Sequence, residues 1–254
     1  MTPASYAYAV TRGLKPEQVA GVRGVDGTEV HLVAHRDLVA VVGAVPLEEY
    51  DADALKAKLE RIEWLEAIAR AHHGVVDAVG THGATLPLRM ATVYRSDERV
   101  AEVLRDGYDR FTAALDDLDG RVEWGVKLYV EPPPPEPAAP PSATGKDYLR
   151  RRRDARRSRE DVWRRAAEFG HRVDAALAEL AVDTRHHRPQ NPQLSGARGE
   201  NVLNAAYLVD AAGARDFAER ARSADGAVPG IRVEVTGPWA PYSFAVPADP
   251  EAVR

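Results

Sequence analysis

Val122-Glu123-Trp124-Gly125-Val126-Lys127-Leu128-Tyr129-Val130 is the stretch on which the fold turns. Val122, Trp124, Val126, Leu128 and Val130 take alternate positions, with Glu123, Lys127 and Tyr129 between them. That period of two belongs to a β-strand with one core face and one wetter face. From Lys146 to about Leu180 the period changes, and Leu149, Val162, Trp163, Ala166, Phe169, Val173, Leu177 and Leu180 supply the apolar side of a long helix. Thr184 to Gln190 reads as a weak strand, Val202 to Val209 as a good one, Ala214 to Arg222 as a short helix, and Ile231, Val233 and Val235 as a last strand. Strand, long helix, strand, strand, short helix, strand is the βαββαβ order of a split-βαβ, ferredoxin-like sandwich.

Outward from this module, Pro132 to Pro135 with Pro137, Pro140 and Pro141 can continue neither strand nor helix, so residues 131–145 read as an extended Pro-rich insert. Upstream, Tyr6 to Val10 reads as an inner strand. Val30 to Ala34 and Leu38 to Val42 form a hairpin across Arg36-Asp37. Leu55, Leu59, Ile62, Leu65, Ile68, His72, Val76 and Val79 recur at steps of three or four, predicting one long helix that Gly80 and Gly83 end. Leu86 to Tyr94 reads as one strand with Pro87 at its start. Ser96 is placed to cap a further helix whose buried stripe is Val100, Leu104, Tyr108, Phe111, Leu115 and Leu118. The expected fold class is α+β in two domains: a mixed α/β domain over 1–119 and a ferredoxin-like domain with a long helix over 120–254.

The 254 residues, 44% hydrophobic, can furnish a core for each domain. Cysteine is absent, which removes disulfides, thiolate metal sites and cysteine nucleophiles and fits a reducing compartment. The first residues carry no basic stretch followed by an apolar run, and no run is long enough to span a bilayer, so a cytoplasmic protein is expected. A formal charge of -5 gives no global attraction to nucleic acid or anionic lipid.

Catalytic patterns are missing. No GxxxxGK[ST] or GxGxxG phosphate loop occurs, no GxSxG elbow surrounds a serine, and Ser195-Gly196 sits in an ordinary polar loop. His72 and His73 point about 100° apart on a helix, and no HExxH pattern or acidic partner completes a familiar site there, so His72, within the apolar stripe, reads as a hydrogen-bonded core or interface histidine. His186-His187, in a weak strand, is discounted likewise. No enzyme, cofactor, metal or small-molecule substrate is expected.

Three features point instead to binding. Arg150, Arg151, Arg152 and Arg153 with Arg156, Arg157 and Arg159 form a basic helical stretch, partly neutralised by Asp147, Asp154, Glu160 and Asp161 at pairing distance. Its default reading is a solvated, partly self-paired face, with an acidic protein partner next and nucleic acid through Arg150 to Arg159 last. Trp239, Tyr242 and Phe244 surround two prolines after the last strand and serve either as a cap over a domain junction or as anchors for a partner. Arg89 stands alone in an apolar run and reads as an inter-domain clamp or ligand site.

Leu86 to Tyr94, Val122 to Lys127, Gly145-Lys146-Asp147-Tyr148-Leu149, Asn204-Ala205-Ala206-Tyr207-Leu208-Val209 and Thr236 to Phe244, taken together and in this order, resemble the gas vesicle protein L/F family. The chain departs from the family's pattern at Met90-Ala91, where Phe-Gly is usual, and at Ala240, where a second proline is frequent. The resemblance implies an accessory or minor structural protein of gas vesicles, the gas-filled protein shells that give buoyancy, with a ferredoxin-like C-terminal domain. Its implied partners are the small hydrophobic shell protein and other accessory proteins, its implied location the gas vesicle. It brings no catalytic residues. On this reading Arg150, Arg153, Arg157, Trp239, Tyr242 and Phe244 are the partner-binding candidates, and Arg89, Trp124 and Tyr148 are structural or inter-domain.

Overall fold

The computed structural model describes residues 2–131, 145–189 and 199–245, so the Pro-rich tract Pro132 to Pro141 and Ser195-Gly196 lie outside the described residues. Among those described, the fold is mixed α+β, with two sheets and seven α-helices. The chain divides into two compact units, one of Met1–Val122 with Trp239–Arg254 and one of Glu123–Pro238.

In the first unit the sheet order is β2 (Val30–His35), β3 (Leu38–Pro46), β1 (Pro3–Arg12), β4 (Thr85–Pro87), and β5 (Val93–Tyr94) also pairs with β1. These pairings are antiparallel. The expected hairpin is present, with His35 opposite Leu38 and Arg36 at φ 56° in the two-residue turn. β1 is inner and buried on both faces. Tyr6 and Tyr8 point to the face covered by the helix α3 (Ile62–Gly80), while Ser5 points to the opposite face and reaches Asp97 of α4 (Asp97–Asp106).

Ile68, His72, Val75, Val76 and Val79 are the buried stripe of α3. Each fully buried aliphatic side chain of this kind contributes about 1.5–3 kcal/mol, so the stripe holds α3 on the sheet. The single helix expected from Leu55 to Val79 is broken. α1 (Leu47–Tyr50) and α2 (Ala52–Leu59) come first, Arg61 leaves helical geometry at φ -96°, ψ 108°, and α3 starts afresh. Ile62, at that start, is 72% exposed and not part of the stripe.

The strand expected over Leu86 to Tyr94 is likewise two. Between β4 and β5 the chain turns: Ala91 has φ 63°, and the Arg89 carbonyl accepts from Thr92 N at 3.2 Å and Thr92 Oγ1 at 2.6 Å. Ser96 caps α4 as expected, its side chain accepting from Arg99 N at 3.3 Å. Gly107 then separates α4 from α5 (Tyr108–Leu118), where one helix was expected. A Cβ at Gly107 would lie 2.7 Å from the Phe111 ring, so the kink is sterically specified.

The second unit runs β6 (Arg121–Val130), α6 (Gly145–Ala178), β7 (Asp183–His186), β8 (Glu200–Asp210), α7 (Ala214–Arg222) and β9 (Ile231–Trp239), with sheet order β7-β8-β6-β9. Trp124, Tyr207 and Phe217 meet in its core, with ring centroids 6.3 Å apart for Trp124 and Phe217 and 5.3 Å for Tyr207 and Phe217. β6 differs from expectation on its second face, where Glu123 and Tyr129 are buried too. Arg232 explains part of this, its guanidinium lying 4.4 Å from the centre of the Tyr129 ring.

The expected division assigned everything from 120 onward to the second domain. By contact, the segment from Trp239 belongs with the first unit. The cause is local packing, because Ala240 and Tyr242 complete the core formed by Tyr6, Tyr8, Val75, Val76 and Val79.

Candidate functional site

A buried polar cluster of the first unit lies between β1 and α3. Alternation on β1 delivers Tyr6 and Tyr8 to one face, and the helical period delivers His72 beneath them. His72 Nε2 is 3.1 Å from the Leu88 carbonyl and its Nδ1 is 3.1 Å from Tyr6 Oη. A carbonyl cannot donate, so Nε2 carries the proton and Nδ1 accepts from the Tyr6 hydroxyl. Tyr6 Oη in turn accepts from Ala91 N at 2.8 Å.

Every lone pair and proton of the imidazole is therefore engaged. Burial drives the His72 pKa down to about 4, against a smaller opposing effect of the Leu88 hydrogen bond. The same burial raises the Tyr6 hydroxyl well above its usual range and the Tyr8 hydroxyl to about 12. A neutral histidine with both nitrogens committed has no capacity to take a proton from a substrate. The cluster is a clamp that holds α3, β1 and the 88–91 turn together.

A second constellation only resembles a hydrolase triad. Asp97 accepts from Ser5 Oγ at 2.5 Å and lies 2.8 Å from His31 Nε2. The carboxylate sits between serine and histidine, so the histidine cannot activate the hydroxyl, and Ser5 is itself buried. Among the described residues no group of three or more His, Asp or Glu side chains could hold a metal ion.

The aromatic segment packs against the same helix. Tyr242 packs edge-on against His73 with centroids 4.9 Å apart, and Trp239 tilts over His73 at 5.8 Å. Tyr242 N donates to Ala240 O at 2.8 Å and Phe244 N to Pro241 O at 3.1 Å, so the segment folds as a tight turn. Tyr242 and Phe244 are half-buried, whereas Trp239 remains 44% exposed, one of four large apolar side chains so displayed among the described residues.

This architecture has relatives. The family model described as gas vesicle synthesis protein GvpL/GvpF matches residues 4–246. The chain belongs to the GvpL/GvpF family. It is similar to gas vesicle protein L of a Streptomyces species, 52% identical across 94% of this chain and 92% of that one. It is also similar to gas vesicle protein F2 of Halobacterium salinarum, 26% identical across 94% and 93%. The crystal structure of GvpF from an Anabaena species shares the fold, with a TM-score of 0.68, 17% identity and coverage of 97% and 98%.

Within this GvpL/GvpF chain the remaining candidates scatter. Arg150, Arg153 and Arg157 lie on the first half of α6. Arg153 is exposed, and the side chains of Arg150, Arg157 and Tyr148 lie outside the described residues. Nearby, Arg156 pairs with Glu160 at 2.9 Å, the self-pairing that the spacing suggested, and Arg164 pairs with Asp161 at 2.7 Å. Trp124 is buried, with the Arg222 guanidinium 5.7 Å from its ring and no hydrogen-bond acceptor for its Nε1. Arg89, read as a clamp or ligand residue, has an exposed side chain. Its part in the turn is played by the main-chain carbonyl.

Sequence reasoning missed the Tyr6–His72 pairing, which joins positions 66 residues apart. The one signal available was a polar residue at a position the helical period assigned to the core.

Among the described residues no helix is long and apolar enough to cross a membrane. Membership of a gas vesicle family gives the chain a gas vesicle related role.

Proposed function

We propose that this chain is a non-catalytic assembly factor of gas vesicles, working in the cytoplasm and at the vesicle, that binds the small hydrophobic shell protein and other accessory proteins. The observation that carries this reading is the family match over residues 4–246. Physical chemistry supplies the need. A subunit that must present an apolar surface to gas is prone to aggregate before incorporation, and a partner covering that surface removes the hazard. We read the two units as two domains, the second a ferredoxin-like module. Its βαββαβ element order and its β7-β8-β6-β9 sheet order support that reading.

Trp239 is the anchor this reading favours, because it is large, aromatic and 44% exposed on a segment fixed by its neighbours. The test is capture of co-expressed shell protein by tagged wild type and by Trp239→Ala. The proposal expects wild type to retain shell protein and the variant, with unchanged circular dichroism, to retain several-fold less. Wild type that never captures shell protein overturns the proposal. A folded variant that captures normally removes Trp239 as the contact.

A further inference from the structure

The charge on α6 is arranged end to end. Lys146 to Arg165 holds ten Lys and Arg against four Asp and Glu, a surplus of six positive charges in a chain whose total is -5. α6 has 34 residues and spans about 50 Å at 1.5 Å per residue, whereas the ten residues of β6 span about 33 Å. The helix is therefore longer than β6 by about three turns. Among the described side chains upstream of Ala166, Arg153, Arg156, Arg164 and Arg165 are exposed, while Val162 and Trp163 are half-buried.

The other end of the unit has the opposite character. β7 starts beside the end of β8, with Asp183 opposite Leu208 and Val182 N donating to Leu208 O at 2.7 Å. The chain entering β7 and the chain leaving β8 thus share one end of the sheet. Leu180 and Val182 are 47% and 46% exposed there, and Ala211 and Ala212 are exposed with them. Glu179, Asp183 and Asp210, carried by the same chain segments as these side chains, are exposed as well. Asp183 also pairs with Arg185 at 3.1 Å, and Arg215 pairs with Glu219 at 2.9 Å. The last turn of α6 carries no basic residue to offset the negative end of the helix dipole.

We propose that copies of this chain associate head to tail, the arginine-rich arm of α6 in one copy lying on the apolar, acid-bearing end between α6 and β7 of the next. Arginine suits such a seat. Its aliphatic stem covers Leu180 and Val182 while the guanidinium reaches the carboxylates of the same segments. Because the two surfaces differ and lie at opposite ends of one unit, the contact is heterologous and propagates into open assemblies rather than closing as a symmetric dimer. This goes beyond shell-protein binding and does not depend on it.

The test is sedimentation of wild type and two variants, one with Arg153→Glu and Arg156→Glu, the other with Leu180→Lys and Val182→Lys. All four substituted positions are exposed, so circular dichroism should match wild type. Wild type should form species larger than dimers as concentration rises, weakened about tenfold or more between low and high salt. Each variant alone should be monomeric. Their mixture should form a one-to-one dimer and nothing larger, since one intact arm and one intact seat remain. A wild type that stays monomeric at low salt, variants that still assemble alone, or a mixture that stays monomeric overturns the proposal. The first outcome would direct the arm to an acidic partner of another kind.

Discussion

His72 Nδ1 accepts a hydrogen bond from Tyr6 Oη at 3.1 Å while its Nε2 donates one to Leu88 O at the same distance. With Ala91 N donating to Tyr6 Oη, three segments distant in sequence are closed into one hydrogen-bonded chain. Tyr6→Phe strips the hydroxyl but keeps the ring, leaving the Ala91 N–H and His72 Nδ1 without their partner. The expected loss is about 1–3 kcal/mol of unfolding free energy, read by urea denaturation.

The same pair makes stability depend on pH. His72 has a folded pKa of about 4 against an ordinary 6.5, so between those values the unfolded chain binds the extra proton. Its contribution is fully present above pH 6.5 and is lost as pH falls toward 4, by about 3 kcal/mol in all. Imidazole resonances followed by NMR should show one of the eight histidines still neutral near pH 5. If all eight titrate near their ordinary value, the buried clamp is wrong.

Two glycines should respond with opposite sign. A Cβ on Gly24 would collide with the Tyr8 hydroxyl, whose oxygen accepts from Val25 N at 2.8 Å. Gly24→Ala should cost about 1–3 kcal/mol. Gly74 is exposed within α3 and meets nothing within 4 Å, so Gly74→Ala should stabilise by about 0.5–1 kcal/mol. Thermal unfolding of both variants checks the pair.

In the second unit, Asp174 on α6 accepts from Tyr207 Oη at 2.6 Å and lies 2.9 Å from His186 Nε2. Burial, followed by the Asp174 hydrogen bond, raises the Tyr207 pKa far above its usual range, so the phenol stays a donor. Asp174→Ala leaves that buried hydroxyl unpaired and should lower stability by about 1–3 kcal/mol, measured by denaturant unfolding.

What the sequence revealed and concealed divides along physical lines. The Ser96 cap, the Arg36-Asp37 hairpin and the element order after Val122 rest on interactions within a few residues, and local pattern suffices for them. The breaks at Arg61, Ala91 and Gly107 were hidden because apolar spacing continues through each while the backbone does not. The seat of Tyr242 beside His73, and the burial of Tyr129 beneath Arg232, depend on contacts across the chain that no periodicity encodes. Among the candidates, Trp239 was visible as an aromatic beside prolines, whereas its exposure relative to Tyr242 required the fold.

The most direct measurement of the gas vesicle role is pressure-collapsible light scattering from cells that carry a complete gas vesicle gene set, with this chain as the sole family member, present or deleted. The account predicts that deletion abolishes collapsible scattering and that the wild-type chain restores it. Undiminished vesicles without the chain would contradict it.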